Sequence, residues 1–396
     1  MGKPKIRFKG YADDWEQRKL GDVFKEYSEK NHTELPALTI IQGGGTVKRE
    51  DSDRNLMYDK SNLSNYKMVR KDDFIVHLRS FEGGLEKSSA DGIISPAYHA
   101  FHSDVADSRF YYPYFRSYEF IKHKLVPHVY GIRDGRSIDI DGMKTIEIPY
   151  TSIEEQQKIG DYLESIDHLI TLHQRKCDET KKLKKYMLQK MFPQNGEKVP
   201  KIRFAGFSDD WEQRKLSEVA KKTYGGGTPR TSEEAFWNGR IPWLQSADLI
   251  EHEVLSAMPK KGITDAGLQN SAAQLIPKNS IAIVTRVGVG KLAFMPFEYA
   301  TSQDFLSLCN LNIDGKFGCY VLYRLLQKEK NLTQGTSIKG ITKEELLNKE
   351  LLVPKQQEQV QIGKYFSTLD HLITLHQQKC DELQNIKKFM LKNMFA

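Results

Sequence analysis

The sequence DHLITLHQRKCDE at residues 167–179 returns as DHLITLHQQKCDE at residues 370–382, with one position changed. Around this core a longer match joins residues 159–192 to residues 362–395 at a constant offset of 203. No proline interrupts either copy, so each can continue as a single helix. At about 1.5 Å per residue, such a helix spans roughly 50 Å.

The seam residues of both copies recur at alternating steps of four and three, which is the spacing of a coiled coil. A long helix that is polar outside its seam needs a partner that buries the seam, and the other copy is the simplest partner. We therefore predict antiparallel pairing, with His173 and Cys177 near His376 and Cys380. The residues expected to pair are Ile166, Ile170, His173 and Cys177 with Leu369, Ile373, His376 and Cys380. The alternative is that each helix packs only on its own domain.

A second repeat opens each half of the chain, because PKIRF and DDWEQRKL occur in both residues 4–23 and residues 200–219. We interpret the WEQRKL segment as a short helix or turn whose tryptophan is a core anchor. The blocks that follow, residues 24–158 and 220–361, do not resemble each other. If the two halves had diverged uniformly after a duplication, all parts would have lost sequence similarity to the same extent. The pattern therefore indicates a fixed frame that carries two different inserts. The expected boundaries are a first domain at 1–158, a spacer helix at 159–192, a linker at 193–199, a second domain at 200–361 and a second spacer helix at 362–396.

Both inserts have the pattern of mixed α and β structure. In the first, the strand-like run LTII precedes Gly43–Gly45, a turn able to adopt positive φ. In the second, the run SIAIV precedes Arg286, a glycine turn and Lys291. We expect an α+β fold with two mixed domains separated by two long helices, which pack as an antiparallel coiled coil in a pseudo-twofold internal repeat.

Composition narrows the class of protein. A length of 396 residues is enough for two cores, and a net charge of +7 suits a nucleic-acid partner without requiring one. The four cysteines include no CxxC pair, which argues against a zinc site and fits a reducing cytoplasm. No apolar run approaches the ~20 residues that span a membrane. We expect a cytoplasmic protein with no membrane association.

The motifs of common enzymes are missing from the sequence. There is no GxxxxGK[ST], HExxH or GxSxG, and no motif with which an adenine methyltransferase grips a base. The run GVGKLA at 288–293 fits the dinucleotide pattern GxGxxA by letter, but lacks the surrounding βαβ context. We interpret it as a glycine turn that presents Arg286 and Lys291, and we predict neither a catalytic nor a metal site.

Basic and amide residues cluster at the predicted strand ends and glycine turns of both inserts. Arginine recognises guanine, glutamine recognises adenine, and lysine mostly holds phosphate, so these positions predict contact with DNA. The candidates are Gln42, Lys48, Arg49, Arg79, Arg133 and Arg136 in the first insert, and Arg230, Gln245, Arg286, Lys291, Gln303 and Lys339 in the second.

Several segments together resemble the DNA-specificity subunit of type I restriction-modification systems. They are the repeated WEQRKL, the succession GGGTPR, IPWLQSADL, IPKNSIAIVTRVGVGKLAF, ATSQDF and GTSIKGITKEELLNKELLVPKQQEQ, and the paired helix starts EEQQKIG and QEQVQIG. The resemblance covers essentially the whole chain. The second insert is similar to a common type of target-recognition domain, whereas the first departs from that type.

The resemblance implies a non-catalytic subunit in which 1–158 and 200–361 are target-recognition domains, each reading half of a bipartite double-stranded DNA site. The helices would set the unread spacer, and a ~50 Å ruler corresponds to roughly 15 base pairs. Two methyltransferase subunits with S-adenosylmethionine would methylate adenine, and motor-nuclease subunits would cleave with ATP and Mg. No cofactor is expected in this chain. The alternative from another class is a scaffold that joins two protein partners without touching DNA.

Overall fold

The computed structural model of the chain describes residues 4–52, 60–77, 84–131, 137–194, 196–286, 288–332 and 340–395. The chain divides into two compact units. Unit 1 consists of Met1–His173 together with Lys379–Ala396, and unit 2 consists of Gln174–Gln378. Each unit therefore contains one of the two inserts and a part of each long helix.

Unit 1 is built on an antiparallel four-stranded sheet in the order Lys25–Tyr27, Tyr98–His102, Phe74–His77 and Glu86–Lys87, beside which lie two-stranded pairs. Its strands are β1 (Glu16–Lys19), β2 (Lys25–Tyr27), β3 (Leu38–Ile41), β4 (Gly45–Lys48), β5 (Lys67–Val69), β6 (Phe74–His77), β7 (Glu86–Lys87), β8 (Gly92–Ile94), β9 (Tyr98–His102), β10 (Val129–Tyr130), β11 (Ser137–Ile138) and β12 (Glu147–Tyr150). Its short helices are α1 (Leu20–Val23), α2 (Ser108–Phe115) and α3 (Ile140–Lys144). Phe24, Phe74 and Phe115 pack edge to face in its core, with ring centroids 4.9–5.5 Å apart.

Unit 2 is built on two sheets. One is antiparallel, in the order Ala220–Gly225, Phe305–Leu311, Ser280–Val284 and Leu292–Met295; the other has three strands, in the order Lys261–Ile263, Trp237–Leu244 and Ala300–Thr301. Its strands are β13 (Glu212–Lys215), β14 (Ala220–Gly225), β15 (Trp237–Leu244), β16 (Lys261–Ile263), β17 (Ser280–Val284), β18 (Leu292–Met295), β19 (Ala300–Thr301), β20 (Phe305–Leu311) and β21 (Glu350–Val353). The helices are α5 (Leu216–Val219), α6 (Asp265–Gln269), α7 (Gly315–Leu332) and α8 (Lys343–Leu347). Strand β17, which is the SIAIV run, is buried along its whole length.

The repeated EQRK segment closes each unit in the same way. In unit 1, β1 pairs with β12 from Glu16 opposite Tyr150 to Lys19 opposite Glu147. In unit 2, β13 pairs with β21 in the corresponding antiparallel register. The segment was expected to be a short helix or turn, but it is a strand followed by one helical turn. Pairing with the last strand of each insert outweighs local preference, because it satisfies the backbone hydrogen bonds of both segments.

Two long helices complete the element order, α4 (Ile153–Lys190) and α9 (Gln356–Met394). They begin before the 159–192 and 362–396 segments that the repeat indicated. The start of α4 is capped by Ser152, whose Oγ accepts the backbone N–H of Glu155 at 3.3 Å. According to the division into units, α4 begins in unit 1 and continues into unit 2, and α9 does the reverse.

Within each unit the two long helices pack antiparallel. In unit 1, Cys380 Sγ lies 3.6 Å from the carbonyl oxygen of Ile170, and Lys387 Nζ lies 2.5 Å from Asp167 Oδ1. The contacts therefore move back along α4 as they move forward along α9. In unit 2, Cys177 Sγ lies 3.8 Å from the carbonyl oxygen of Ile373, and Lys184 donates to Asp370.

The predicted seam is the face that the helices bury. Ile166, Leu369, Cys177 and Cys380 are buried, and Ile170, His173, Ile373 and His376 are half-buried. The predicted antiparallel pairing and α+β class are thus confirmed within each unit. The expected proximity of the two mid-length histidines stays a prediction.

Buried glutamines at the start of the long helices fasten each helix to its insert. The side-chain oxygen of Gln156 accepts the backbone N–H of Asp107 at 3.0 Å, and its amide donates to Thr151 O at 2.7 Å. Gln359 makes the same two bonds to Asp314 N and to Pro354 O, each 2.8 Å long. The aspartates in turn cap α2 and α7. A third repeated feature therefore lies inside inserts that otherwise differ.

The last aromatic residue of each long helix segment completes the core of the unit in which it ends. In unit 1, the Phe395 ring lies 5.8 Å from Trp15 and 4.9 Å from Phe110, between centroids. In unit 2, Phe192 lies 5.8 Å from Trp211 and 5.9 Å from Phe317. Both tryptophans are core anchors, as predicted.

Candidate nucleic-acid interface

In unit 1, the β3–β4 turn presents polar side chains on a tight backbone. Gly43 and Gly45 have φ values of +82° and +71°, as the glycine run predicted, and the Gly44 N–H donates to Ile41 O at 2.9 Å. Gln42 is exposed at the tip of this turn, and Lys48 is exposed at the end of β4. These two predicted residues are therefore free to meet a ligand.

The next predicted residue, Arg49, is used partly within the unit. It is half-buried, its guanidinium lies 5.4 Å from the ring centroid of Tyr66, and its Nε donates to Leu38 O at 3.5 Å. A contact from this arginine to DNA stays a prediction. Arg79, Arg133 and Arg136 lie outside the described residues.

Sequence reasoning missed the residue that holds this turn, which is Glu86. Its carboxylate is 4% exposed and accepts the backbone N–H groups of Gly43 at 2.7 Å and Gly45 at 3.3 Å. The Tyr112 hydroxyl donates to the same carboxylate at 2.7 Å. Burial, together with this bond, raises the pKa of Tyr112 to about 12. No local signal marks such a residue, because it lies far along the chain from the turn.

In unit 2, two predicted residues from different loops line one cavity of about 770 Å³. Arg286 follows β17, and Gln303 precedes β20; both are exposed. Gln303 accepts a hydrogen bond from Thr228 Oγ1 at 2.5 Å, which fixes the orientation of its amide. We call this cavity the unit 2 groove, and its lining residues are Gly225, Thr285, Arg286, Gln303, Phe305, Leu306, Gly340, Ile341, Thr342 and Lys343.

The charge of the unit 2 groove is one-sided. Among its described lining residues are two cations, Arg286 and Lys343, and no carboxylate. The cavity of unit 1, about 700 Å³ in volume, differs because its cations face acids. There, for example, Lys87 pairs with Asp72 at 2.8 Å, and the hydrogen bond that His102 donates to Asp73 raises the pKa of His102. The unit 2 groove is thus the better suited of the two to an anionic ligand.

Two further predicted residues of unit 2 support its own backbone. Lys291 donates to Leu249 O at 2.8 Å and to Ser246 O at 3.4 Å, and Gln245 is the first residue of the same turn. Both side chains are half-buried. Arg230 is exposed and its carbonyl accepts the Trp237 indole N–H at 3.0 Å, whereas Lys339 lies outside the described residues. DNA contact by these four residues stays a prediction.

The described residues contain neither a candidate metal site nor a candidate membrane span. No group of three or more His, Cys, Asp or Glu side chains there could hold a metal ion. No helix in the same residues is both long and apolar enough to cross a lipid bilayer.

Comparison with known proteins gives a consistent result. The family described as type I restriction modification DNA specificity domain matches residues 12–182 and again residues 208–385. The MjaIX specificity subunit of Methanocaldococcus jannaschii, a type I restriction enzyme, is 26% identical over 192 residues, which are 47% of this chain and 44% of that protein. The EcoR124I/EcoR124II specificity subunit of Escherichia coli is 32% identical over 177 residues, 41% of this chain and 42% of that protein. The matched part of the chain thus spans less than half the length of either relative.

A solved structure shares the fold over the full length. The crystal structure of the type I restriction-modification system S subunit from M. genitalium aligns with a TM-score of 0.65, covering 100% of this chain and 99% of that one. Sequence identity in this alignment is 16%, so it supports the fold alone. Since the family match covers most of the sequence in two copies, this chain belongs to the family of type I restriction-modification specificity subunits.

Proposed function

We propose that the chain binds a bipartite double-stranded DNA sequence, with unit 1 and unit 2 each reading one half-site. The observation that carries the proposal is the unit 2 groove, where Arg286 and Gln303 both lie and where the described lining residues include no carboxylate. An arginine in such a setting is suited to guanine or phosphate, and a glutamine amide to adenine. Lys343, at the same groove, is suited to phosphate.

The bipartite part of the proposal is supported by the repeated frame. Asp167 with Lys387 in unit 1 and Asp370 with Lys184 in unit 2 are equivalent pairs under the offset of 203. The loops carried by the two frames differ, with the β3–β4 turn in one unit and the groove in the other. Equivalent frames with unlike loops suit two unlike half-sites.

We propose that the chemistry resides in partner subunits: adenine methylation with S-adenosylmethionine, and cleavage with ATP and Mg. A second apolar stripe on the long helices is suited to binding such a partner twice. In unit 1 it consists of Leu169, Leu172, Ile386 and Phe389, with Leu169 40% and Phe389 57% exposed. In unit 2 the equivalent residues are Leu372, Leu375, Leu183 and Tyr186. Exposed apolar stripes of this kind mark protein interfaces, and the same stripe in both units suits two copies of one methyltransferase.

The experiment that tests the DNA proposal begins with sequencing of methylated bases in cells that carry the chain with its partner subunits. The expected result is adenine methylation within one two-part motif. Duplexes carrying that motif should then bind the purified complex with an affinity that falls steeply as salt increases. Absence of duplex binding at low salt would favour the alternative, a scaffold that joins proteins without DNA.

The Arg286→Gln variant tests whether the unit 2 groove reads one half-site. The variant should relax base choice in a single half of the motif and leave the other half unchanged. Arg240→Gln is the matched control, since Arg240 is an exposed arginine of the same unit that pairs with Asp265 outside the groove. Equal effects of the two substitutions would contradict the assignment.

A further inference from the structure

The β3–β4 turn of unit 1 has a glycine-rich backbone that is held by contacts from other segments. Positive φ values at Gly43 and Gly45 make the turn possible, but glycines leave the backbone many other conformations. Recognition of a base edge needs side chains held to within about 0.5 Å. Gln42, at the tip, therefore needs a restraint that its own neighbours in the sequence do not supply.

Glu86 supplies four contacts at this position. Its Oε1 accepts the Gly43 N–H, and its Oε2 accepts the Gly45 N–H and the Tyr112 hydroxyl. The Arg116 guanidinium lies 3.5 Å from Oε1. A buried carboxylate is costly unless it is paired in this way, and hydrogen bonds to a charged acceptor are stronger than neutral ones.

The surroundings leave the turn little space for another arrangement. A Cβ atom on Gly45 would lie 2.7 Å from Lys87 O, and one on Gly43 would lie 2.8 Å from Arg116 Nη2. The turn is therefore pressed against the segment that carries Glu86. Its outer side remains open, because Ile41 is 44% exposed and Gln42 is exposed.

We propose that Glu86 is a positioning residue for DNA recognition, which clamps the β3–β4 turn so that Gln42 meets one base pair of the unit 1 half-site. The inference rests on the proposed function. Glu86 itself touches no DNA, and it acts through the two glycine amides.

The central variant is Glu86→Gln, which keeps the shape but removes the charge and replaces one acceptor oxygen with an amide donor. That donor cannot accept a glycine N–H, so one clamp bond is lost. Hydrogen exchange of the full chain without DNA should show faster exchange at Gly43 and Gly45 than in the wild type. Glu155→Gln is the matched control: Glu155 is an equally buried carboxylate of unit 1 that bonds to Arg7 and Trp15 instead of the turn.

The second measurement is base discrimination by the complex with its partners. It is the Kd for a duplex in which one base pair of the motif is changed, divided by the Kd for the duplex with the intact motif found by methylation sequencing. Glu86→Gln should reduce this ratio about tenfold at one position of one half-site. Gln42→Ala should reduce it at the same position, and the double variant should lose no more than either single one. Glu155→Gln should lower stability without moving the ratio.

The possible outcomes distinguish failure of the proposed role of Glu86 from failure of the proposed DNA-binding function. Unchanged exchange at the two glycines, or unchanged discrimination in a complex that recognises a bipartite motif, would overturn the role of Glu86 alone. Additive losses in the double variant would also overturn it, because they would mean that Glu86 acts independently of Gln42. A wild-type complex that recognises no bipartite motif would overturn the proposed function, and the role of Glu86 with it.

Discussion

Lys387 of α9 donates to Asp167 of α4 at 2.5 Å, and the same two repeat positions meet again in unit 2 as Lys184 and Asp370. Each pair takes its lysine from one long helix and its aspartate from the other. The same lysine–aspartate pair therefore occurs once in each unit. The two pairs differ in burial, since the side chains of Lys184 and Asp370 are 10% and 21% exposed, against 27% and 49% for Lys387 and Asp167.

We predict that Lys184→Gln destabilises the protein by about 2–3 kcal/mol, because it removes the cation beside the poorly solvated carboxylate of Asp370, which keeps its hydrogen bond from Tyr320. Lys387→Gln should cost below about 1 kcal/mol, since that pair is better solvated. Urea unfolding of both variants measures the difference. Equal losses would mean that burial does not decide the contribution of these pairs.

Gly363→Ala should destabilise unit 2, although alanine normally favours a helix over glycine by about 1 kcal/mol. A Cβ atom there would lie 2.7 Å from Asp314 Oδ1 and 3.0 Å from Phe317 N, where α7 begins. The expected loss is about 1–3 kcal/mol, as for other overpacked sites. Ser165→Ala, at an exposed position of α4, is the control and should be nearly neutral in thermal unfolding. A stabilising Gly363→Ala would show that α7 moves aside without cost.

The stability of unit 1 should decrease in acid through Glu155. Burial alone would raise the pKa of this carboxyl, but hydrogen bonds from Arg7, Thr151 and Trp15 hold it below its ordinary value of 4.5. A pKa that is lower in the folded state than in the unfolded state contributes stability above pH 4.5, which is lost as pH falls through the folded pKa. Wild type and Glu155→Gln should therefore differ most near pH 7 and converge as pH falls through the folded pKa of Glu155. Denaturation at several pH values tests this, and a constant difference would contradict it.

Phe395→Ala should destabilise unit 1 by about 3–4 kcal/mol, close to the value for Phe192→Ala in unit 2. Both rings pack on the tryptophan and the phenylalanine of their unit, and they are 8% and 1% exposed. Phe389→Ala removes an exposed ring of α9 and should cost below about 1 kcal/mol. Calorimetry of the three variants gives the comparison. A neutral Phe395→Ala would exclude this residue from the core.

Charged substitutions in the second apolar stripe should change the stoichiometry of partner binding. If two methyltransferase subunits bind as proposed, Phe389→Asp in unit 1 and Tyr186→Asp in unit 2 should each reduce their number to one, because each places a charge in one proposed interface. Native mass spectrometry measures the stoichiometry. Gln174→Asp, at an exposed position outside the stripe, should leave it unchanged. If both single variants still bind two partner subunits, the second apolar stripe is not the partner interface.

The sequence determined the long helices, their seam and the existence of two unlike inserts on one frame. These features are encoded locally or by repetition: a four-three spacing specifies a helical face wherever it occurs. Arg286 and Gln303 were also predicted as DNA contacts from their positions beside strands and glycine turns, and such contact stays a prediction. That both line one groove was not visible, because it depends on how distant loops come together.

The tertiary structure alone decided which polar groups are free and which are already used. Lys291 and Arg286 follow the same strand in the sequence, yet Lys291 bonds to backbone carbonyls while Arg286 faces the groove. Glu86 and the Asp107 and Asp314 caps were likewise not identified, since their partners lie far along the chain. A hydrogen bond between distant segments depends on how the chain packs, and it produces no periodic pattern in the sequence. Burial of an apolar face, in contrast, produces a periodic pattern of apolar residues.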